Sequence, residues 1–137
     1  EAGAAAKAAG AKRVIPLNVS GPFHSMLMEP AAEKLSQTLA GYTIKDAQVA
    51  VVANVSASGV QTKEEIKESL IQQVASPVLW EDSVRYMLDK GVDLFIEIGP
   101  GTVLSGLVKK VDRKVKTLAI QDITTLEKAL EQLQMKE

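Results

Sequence analysis

The sequence contains no cysteine, a single histidine and few aromatic residues, and its charges almost cancel. Without cysteine the chain has no means of forming a disulfide, a thiolate metal site or a cysteine nucleophile. One histidine without cysteine also disfavours a zinc site. The formal net charge of −1 argues against a nucleic-acid-binding surface, which needs clustered positive charge. These absences leave few side chains that can carry chemistry.

Long apolar runs are also missing. No run approaches the roughly 20 apolar residues that a membrane-spanning helix needs, and no basic stretch followed by an apolar segment marks a signal peptide. We therefore expect a soluble, cytoplasmic protein. Its 137 residues are enough for one hydrophobic core. The chain begins inside an alanine-rich, helix-forming run that has no methionine or cap, which predicts a fragment or a processed product. The alternative is a disordered low-complexity leader.

Strand-like and helix-like patterns alternate along the rest of the chain. The apolar runs that predict strands are 14–19, 49–55, 92–98 and 115–120. The patterns that predict helices follow Pro30, the capping box Thr62–Glu65, Trp80, Gly101 and a second capping box, Thr124–Glu127. Residues 57–59 are expected to be an ordinary loop. This order predicts an α/β fold with a largely parallel sheet whose strands are covered on both faces.

The only histidine, His24, follows the turn-forming pair Gly21-Pro22 at the end of an apolar run. It is the one side chain that titrates near neutral pH without help. Ends of strands are common positions for catalytic groups in α/β proteins. His24 is therefore a candidate acid or base, with a structural histidine that stabilises the turn as the alternative.

Three other features can carry chemistry, although each also has a structural explanation. The turn Gly99-Pro100-Gly101 opens a helix, whose free amides can bind an anion, but two glycines also serve a tight turn. Glu97 lies within an apolar strand and can act as a general base, but a structural carboxylate that bonds loop amides is favoured. Lys12-Arg13 can bind an acidic or phosphorylated partner, or lie on a solvated edge. The chain has no Gly-x-Ser-x-Gly nucleophile elbow, so it does not contain a complete serine hydrolase or acyltransferase site.

Six short segments, in order along the chain, resemble the malonyl-CoA:acyl carrier protein transacylases. The segments are Val19-Ser20-Gly21-Pro22-Phe23-His24-Ser25, Pro30-Ala31-Ala32, Asn54-Val55, Ser76-Pro77-Val78, Glu97-Ile98-Gly99-Pro100-Gly101 and Val103-Leu104-Ser105-Gly106-Leu107. The resemblance implies that the chain is the C-terminal part of such an enzyme. It also implies that residues 1–19 end a ferredoxin-like small subdomain, and that residues 20–137 form the C-terminal part of the α/β-hydrolase-like large subdomain.

The resemblance further implies a serine–histidine ping-pong mechanism in fatty acid biosynthesis. A malonyl group passes from malonyl-CoA, the substrate, to a serine and then to the phosphopantetheine thiol of acyl carrier protein, without a cofactor or metal. In this picture His24 is the base, and the main-chain carbonyl of Gln73 orients it. The family's serine, its carboxylate-binding arginine and its oxyanion glutamine have no counterpart in this chain.

The same resemblance assigns Phe23 and Asn54 to substrate binding. It assigns Lys12 and Arg13 to the docking of CoA or of the carrier protein. The expected partners are acyl carrier protein, malonyl-CoA and the missing N-terminal part of the enzyme, with no nucleic acid and no membrane. The alternative function is a non-catalytic fragment that binds the carrier protein or the missing half.

Overall fold

The structure is a computed structural model that describes residues 1–16 and 19–134. Six helices and four strands follow one another in this part of the chain. They are α1 (Ala2–Ala8), α2 (Glu29–Ala40), β1 (Val51–Ala53), β2 (Ser58–Val60), α3 (Lys63–Gln72), α4 (Trp80–Asp89), β3 (Leu94–Ile98), α5 (Val103–Val111), β4 (Lys116–Ile120) and α6 (Ile123–Gln134), and a single helical turn at Met26–Met28 precedes α2. The predicted α/β class is confirmed. None of the described helices is long and apolar enough to cross a membrane.

The sheet is less parallel than the sequence predicts. Strands β3 and β4 pair in parallel, with Leu94 opposite Lys116. Strands β1 and β2 instead form an antiparallel hairpin, with Val51 opposite Val60, so the expected loop at 57–59 is wrong. Ala57 has a positive φ of 50°, and its amide donates to the carbonyl of Ala53. This tight turn folds the chain back on itself after only three strand residues.

Two of the predicted strands are also shorter or absent. The run 49–55 forms a strand only at 51–53, and it is not buried on both faces, because Val49 is 73% exposed and Val51 46% exposed. No strand forms at residues 14–16 or at residue 19, while residues 17 and 18 of that predicted strand lie outside the described residues. Apolar β-branched runs need a neighbouring strand as well as a propensity, and the described part of the chain supplies none here.

The hydrophobic core lies between α4, α5 and the parallel pair. It is centred on Val84, Val108 and Val115, which are 0%, 2% and 7% exposed. Five half-buried side chains pack around these valines, namely Trp80, Met87, Leu88, Phe95 and Val111. Phe95 comes from β3, so α5 packs on the sheet face that also presents the neighbouring odd-numbered residues of that strand.

One of the two predicted capping boxes is present and the other is displaced. The Thr62 hydroxyl accepts a hydrogen bond from the Glu65 amide, and the Glu65 carboxylate accepts one from the Thr62 amide. The box predicted at Thr124–Glu127 is wrong. Helix α6 starts earlier, where Asp122 accepts from the Thr125 amide at 2.8 Å and the Thr125 hydroxyl accepts from the Asp122 amide at 3.0 Å. Aspartate competes well for an N-cap position, which moves the start of the helix.

Candidate functional site

The candidate site centres on the turn that carries His24. The Ser25 hydroxyl donates to the Pro22 carbonyl at 2.6 Å, which closes the turn. His24 itself has a backbone φ of 58°, in the left-handed region that residues with a Cβ seldom adopt. Strained residues of this kind concentrate at functional sites and persist only where other contacts hold them. The histidine is exposed, so its ring is open to a reacting group.

The contact that holds the ring comes from a distant part of the chain. The Nδ1 of His24 lies 3.0 Å from the main-chain oxygen of Gln73. A carbonyl oxygen can only accept, so Nδ1 carries the proton and donates it. In the neutral ring Nε2 therefore keeps its lone pair, which can accept a proton from a reacting hydroxyl.

Gln73 can offer its carbonyl because it lies directly after α3. Its own amide donates to Ser69 within the last turn of that helix. The carbonyls that end a helix have no partner within it and need one elsewhere, and the Gln73 carbonyl finds it in His24. The side chain of Gln73 is fixed separately, because the Asn54 amide donates to its Oε1 at 3.4 Å. The structure thus brings His24, Gln73 and Asn54 together as one chain of contacts.

The other predicted site residues lie on exposed surface. Phe23 is next to the histidine in the turn and is 58% exposed. Lys12 and Arg13 are both exposed. Among the described residues neither cation forms an ion pair, and neither hydrogen-bonds to the site of His24. Their roles in substrate binding and docking stay predictions, as do the catalytic roles of His24 and Gln73.

The turn before α5 is occupied by the protein's own groups. The Glu97 carboxylate accepts from the amides of Leu104 at 3.0 Å and Ser105 at 2.7 Å, and Gln121 accepts from the Gly101 amide at 2.8 Å. Hydrogen bonds from Ser105, first from its side chain and then from its amide, lower the pKa of Glu97. These contacts agree with the structural interpretation of Glu97 and leave those three amides without room for an anion. No cluster of potential metal ligands occurs in residues 1–16 and 19–134.

Sequence reasoning missed how the site is fixed in place. The left-handed backbone of His24 and the hydrogen bond from the Ser25 hydroxyl to the Pro22 carbonyl were not foreseen, although serine hydroxyls often bond to nearby backbone groups in turns. The contact between Asn54 and Gln73 joins residues 19 positions apart. No local pattern encodes such a pairing, since it depends on how β1 packs against α3.

Comparisons with known proteins confirm the resemblance. The chain is 58% identical over 128 residues to the malonyl CoA-acyl carrier protein transacylase of Bacillus subtilis (strain 168), covering 93% of this chain and 40% of that protein. The solved structure of the malonyl CoA-acyl carrier protein transacylase from Clostridium perfringens matches with a TM-score of 0.89 and 41% identity, over 98% of this chain and 42% of that one. No protein-family model matches the chain.

A third match is the structure of a type II PKS acyl-carrier protein in complex with its malonyl-transacylase. It has a TM-score of 0.88 and 44% identity, and it covers 96% of this chain and 42% of the matched chain. The present chain thus spans about 40% of the length of the curated relatives that it matches. Its fold and sequence are those of a segment of these enzymes, and the remaining length of the relatives has no counterpart here.

Proposed function

We propose, from its relationship to the malonyl CoA-acyl carrier protein transacylases, that this chain provides the histidine base of malonyl transfer and that the nucleophilic serine lies in the remainder of the enzyme. The reaction moves a malonyl group from malonyl-CoA to the phosphopantetheine thiol of acyl carrier protein. The observation that carries the proposal is the 3.0 Å contact between His24 Nδ1 and the Gln73 carbonyl, because it leaves Nε2 able to accept a proton.

The proposed chemistry follows from that tautomer. A serine hydroxyl is too weak a nucleophile on its own, so Nε2 accepts its proton as the oxygen attacks the malonyl thioester carbon. The carbon–sulfur bond then breaks, and the CoA sulfur leaves with a proton from the imidazolium. In the second half the carrier-protein thiol gives its proton to Nε2 and attacks the ester carbon. The bond from that carbon to the serine oxygen then breaks, and the imidazolium returns the proton to the serine oxygen. A neutral carbonyl orients the ring here, which avoids burying a charged carboxylate.

The exposure of the site supports a division of the enzyme between this chain and the rest. Every described residue of 1–28 has at least part of its surface open, and His24 is among the exposed residues. We assign residues 1–19 to the end of a ferredoxin-like small subdomain and 20–137 to the α/β-hydrolase-like large subdomain. The missing N-terminal part would then cover this face and bring the serine to Nε2.

Partner binding is assigned to the exposed residues of the same segment. The matched structure of a malonyl-transacylase with its acyl-carrier protein supports acyl carrier protein as the partner. Lys12 and Arg13 carry two positive charges before the histidine turn, suited to an acidic carrier protein or to the phosphates of CoA. Phe23 lies beside His24 and would limit the bulk of the acyl group. The reaction uses malonyl-CoA as substrate and needs no separate cofactor.

The proposal is tested by replacing the base in the complete enzyme. His24→Ala should lower the rate of malonyl transfer about 100-fold or more, because general base catalysis is lost. His24→Asn is the matched variant: asparagine tolerates the left-handed backbone but has no base, so it should be equally slow. Normal transfer by either variant would contradict the assignment, and normal transfer by the asparagine variant alone would show that His24 only shapes the turn.

A further inference from the structure

Asn54 contacts the connection between α3 and α4 at two points. Its carbonyl accepts from the Leu79 amide at 2.9 Å, just before α4 begins. Its side-chain amide donates to Gln73 Oε1 at 3.4 Å, just after α3 ends. One residue at the end of β1 thus bonds to both ends of the segment that presents the Gln73 carbonyl to His24. Asn54 and Gln73 are both half-buried, so water competes less for this contact than at the surface.

The space beside the contact between Asn54 and Gln73 determines what the Gln73 side chain does when the contact is lost. A cavity of 270 Å³ lies between β1 and α3, and Asn54 and Gln73 are among the residues that line it. Without the asparagine amide, the glutamine side chain has room to turn into this cavity. Apart from its contact with His24, the Gln73 carbonyl would then be held only through the backbone, by hydrogen bonds from the Gln73 amide to the Ser69 carbonyl and from the Val74 amide to the Ile71 carbonyl. Its direction would be less well defined.

We infer that Asn54 is a positioning residue, which holds Gln73 so that its carbonyl accepts the His24 Nδ1 proton, and that it does not act on the substrate. This differs from the substrate-binding role that the resemblance gave to Asn54. The catalytic consequence of this inference rests on the proposed function. The link from Asn54 to the histidine tautomer rests on geometry alone, so it can be tested without any malonyl transfer.

The tautomer is measurable in this chain because His24 is its only histidine. With ¹⁵N-histidine labelling, the two ring nitrogens of this one residue give the only imidazole NMR signals. The spectra are recorded at a pH above the titration range of imidazole. The wild-type ring should be mainly in the Nδ1–H form. Asn54→Ala should raise the Nε2–H population several-fold. An unchanged tautomer ratio in that variant, with circular dichroism showing a folded chain, would overturn the inference.

A second variant keeps the test valid where Asn54→Ala disturbs folding. Gln73→Met removes the amide that Asn54 binds but leaves the backbone of both residues intact, so it should shift the tautomer in the same direction. Gln72→Met is the matched control, since it makes the same change at the exposed neighbouring residue, and it should leave the ratio unchanged. Equal shifts in both methionine variants, or none in Gln73→Met, would overturn the inference.

A double-mutant cycle in the complete enzyme separates positioning from substrate contact. Asn54→Ala should lower kcat about 3- to 10-fold and leave the KM for malonyl-CoA within about 2-fold. Combined with Gln73→Met, it should add little further loss, since both remove the same contact. A raised KM with additive losses would assign Asn54 to the substrate. Failure of the proposed function would show differently, as a tautomer shift in a protein whose transfer does not depend on His24.

Discussion

The region from α4 to β4 and the segment that carries His24 are held in place differently, the first by apolar packing and the second by polar contacts. Between α4 and β4 the core valines, including Val84 and Val108, are almost fully buried, and the Glu97 carboxylate of β3 accepts from amides at the start of α5. Residues 12–28 show no fully buried side chain among those described. The histidine turn is held instead by two polar contacts, Ser25 to Pro22 and His24 to Gln73.

This difference in packing indicates that the α4–β4 region provides stability and that the histidine segment provides functional groups. A packed interior resists displacement because nearly every change of volume is felt, so the α4–β4 region is suited to provide stability. The histidine segment is open and presents large apolar side chains to solvent. These are Ile15, Val19, Phe23, Met26 and Leu27, each at least 58% exposed. Several exposed apolar side chains in one segment are typical of a surface that another protein segment covers, which agrees with the proposal that the rest of the enzyme lies there. The α4–β4 region also exposes apolar side chains, at Ile98 (81%) and Val103 (71%).

The contrast in burial should appear first in stability. Val108→Ala, within the core, should lower the free energy of unfolding by about 2 kcal/mol, because two methyl groups leave a cavity. Val103→Ala makes the same change on the same helix at a position 71% exposed, and should cost less than about 0.5 kcal/mol. Urea denaturation followed by circular dichroism measures both. Equal losses would mean that the burial of Val108 does not contribute to stability.

The exposed segment should contribute to association with the carrier protein. Reversing both charges, Lys12→Glu with Arg13→Glu, should raise the KM for carrier protein about 3- to 10-fold at low salt, as expected for surface ion pairs. The effect should fade at high salt, because the charges are screened. Arg113→Glu with Lys114→Glu gives the same change of net charge after α5 and is the control. If both double variants raise the KM for carrier protein equally, the change in net charge is responsible and docking at Lys12 and Arg13 is not.

The smallest effect concerns the carboxylate that caps α5. The pKa of Glu97 is lowered by hydrogen bonds from Ser105 and Leu104, so folding favours its ionised form. Its contribution to stability is present above the unfolded-state pKa, about 4.3, and is lost as the pH falls through the lower folded-state value. Glu97→Gln should therefore flatten the acid side of the stability profile. Glu127→Gln, on an exposed face of α6, should not, and equal profiles for the two variants would contradict the capping role.

The sequence was sufficient where local patterns decide the structure. The helix at Pro30, the Thr62–Glu65 box and the strand-to-helix turn at Gly99 each depend on residues close together in the chain, and each forms as expected. The hairpin of β1 and β2 was missed because the strands have only three residues each and the turn uses an alanine with positive φ. The strand expected at residue 14 failed for want of a pairing partner within the described chain.

The candidate site shows the same division. The position of His24 after Gly21-Pro22 could be interpreted from the sequence, since it needs only a turn and a lone titratable group. The partner carbonyl at Gln73 lies 49 residues away and was expected only through family resemblance. The contact of Asn54 with Gln73 was not expected at all, because it arises from the packing of β1 beside α3.

The central claim is that the base lies in this chain and the nucleophile lies outside it. Peptide mapping tests this most directly: the complete enzyme is treated with radiolabelled malonyl-CoA, stopped in acid and digested, and the labelled peptide is identified. The account predicts stoichiometric label on a serine outside these 137 residues, and no label when this chain is treated alone. Stoichiometric label on Ser20, Ser25, Ser105 or any other serine of this chain would contradict it.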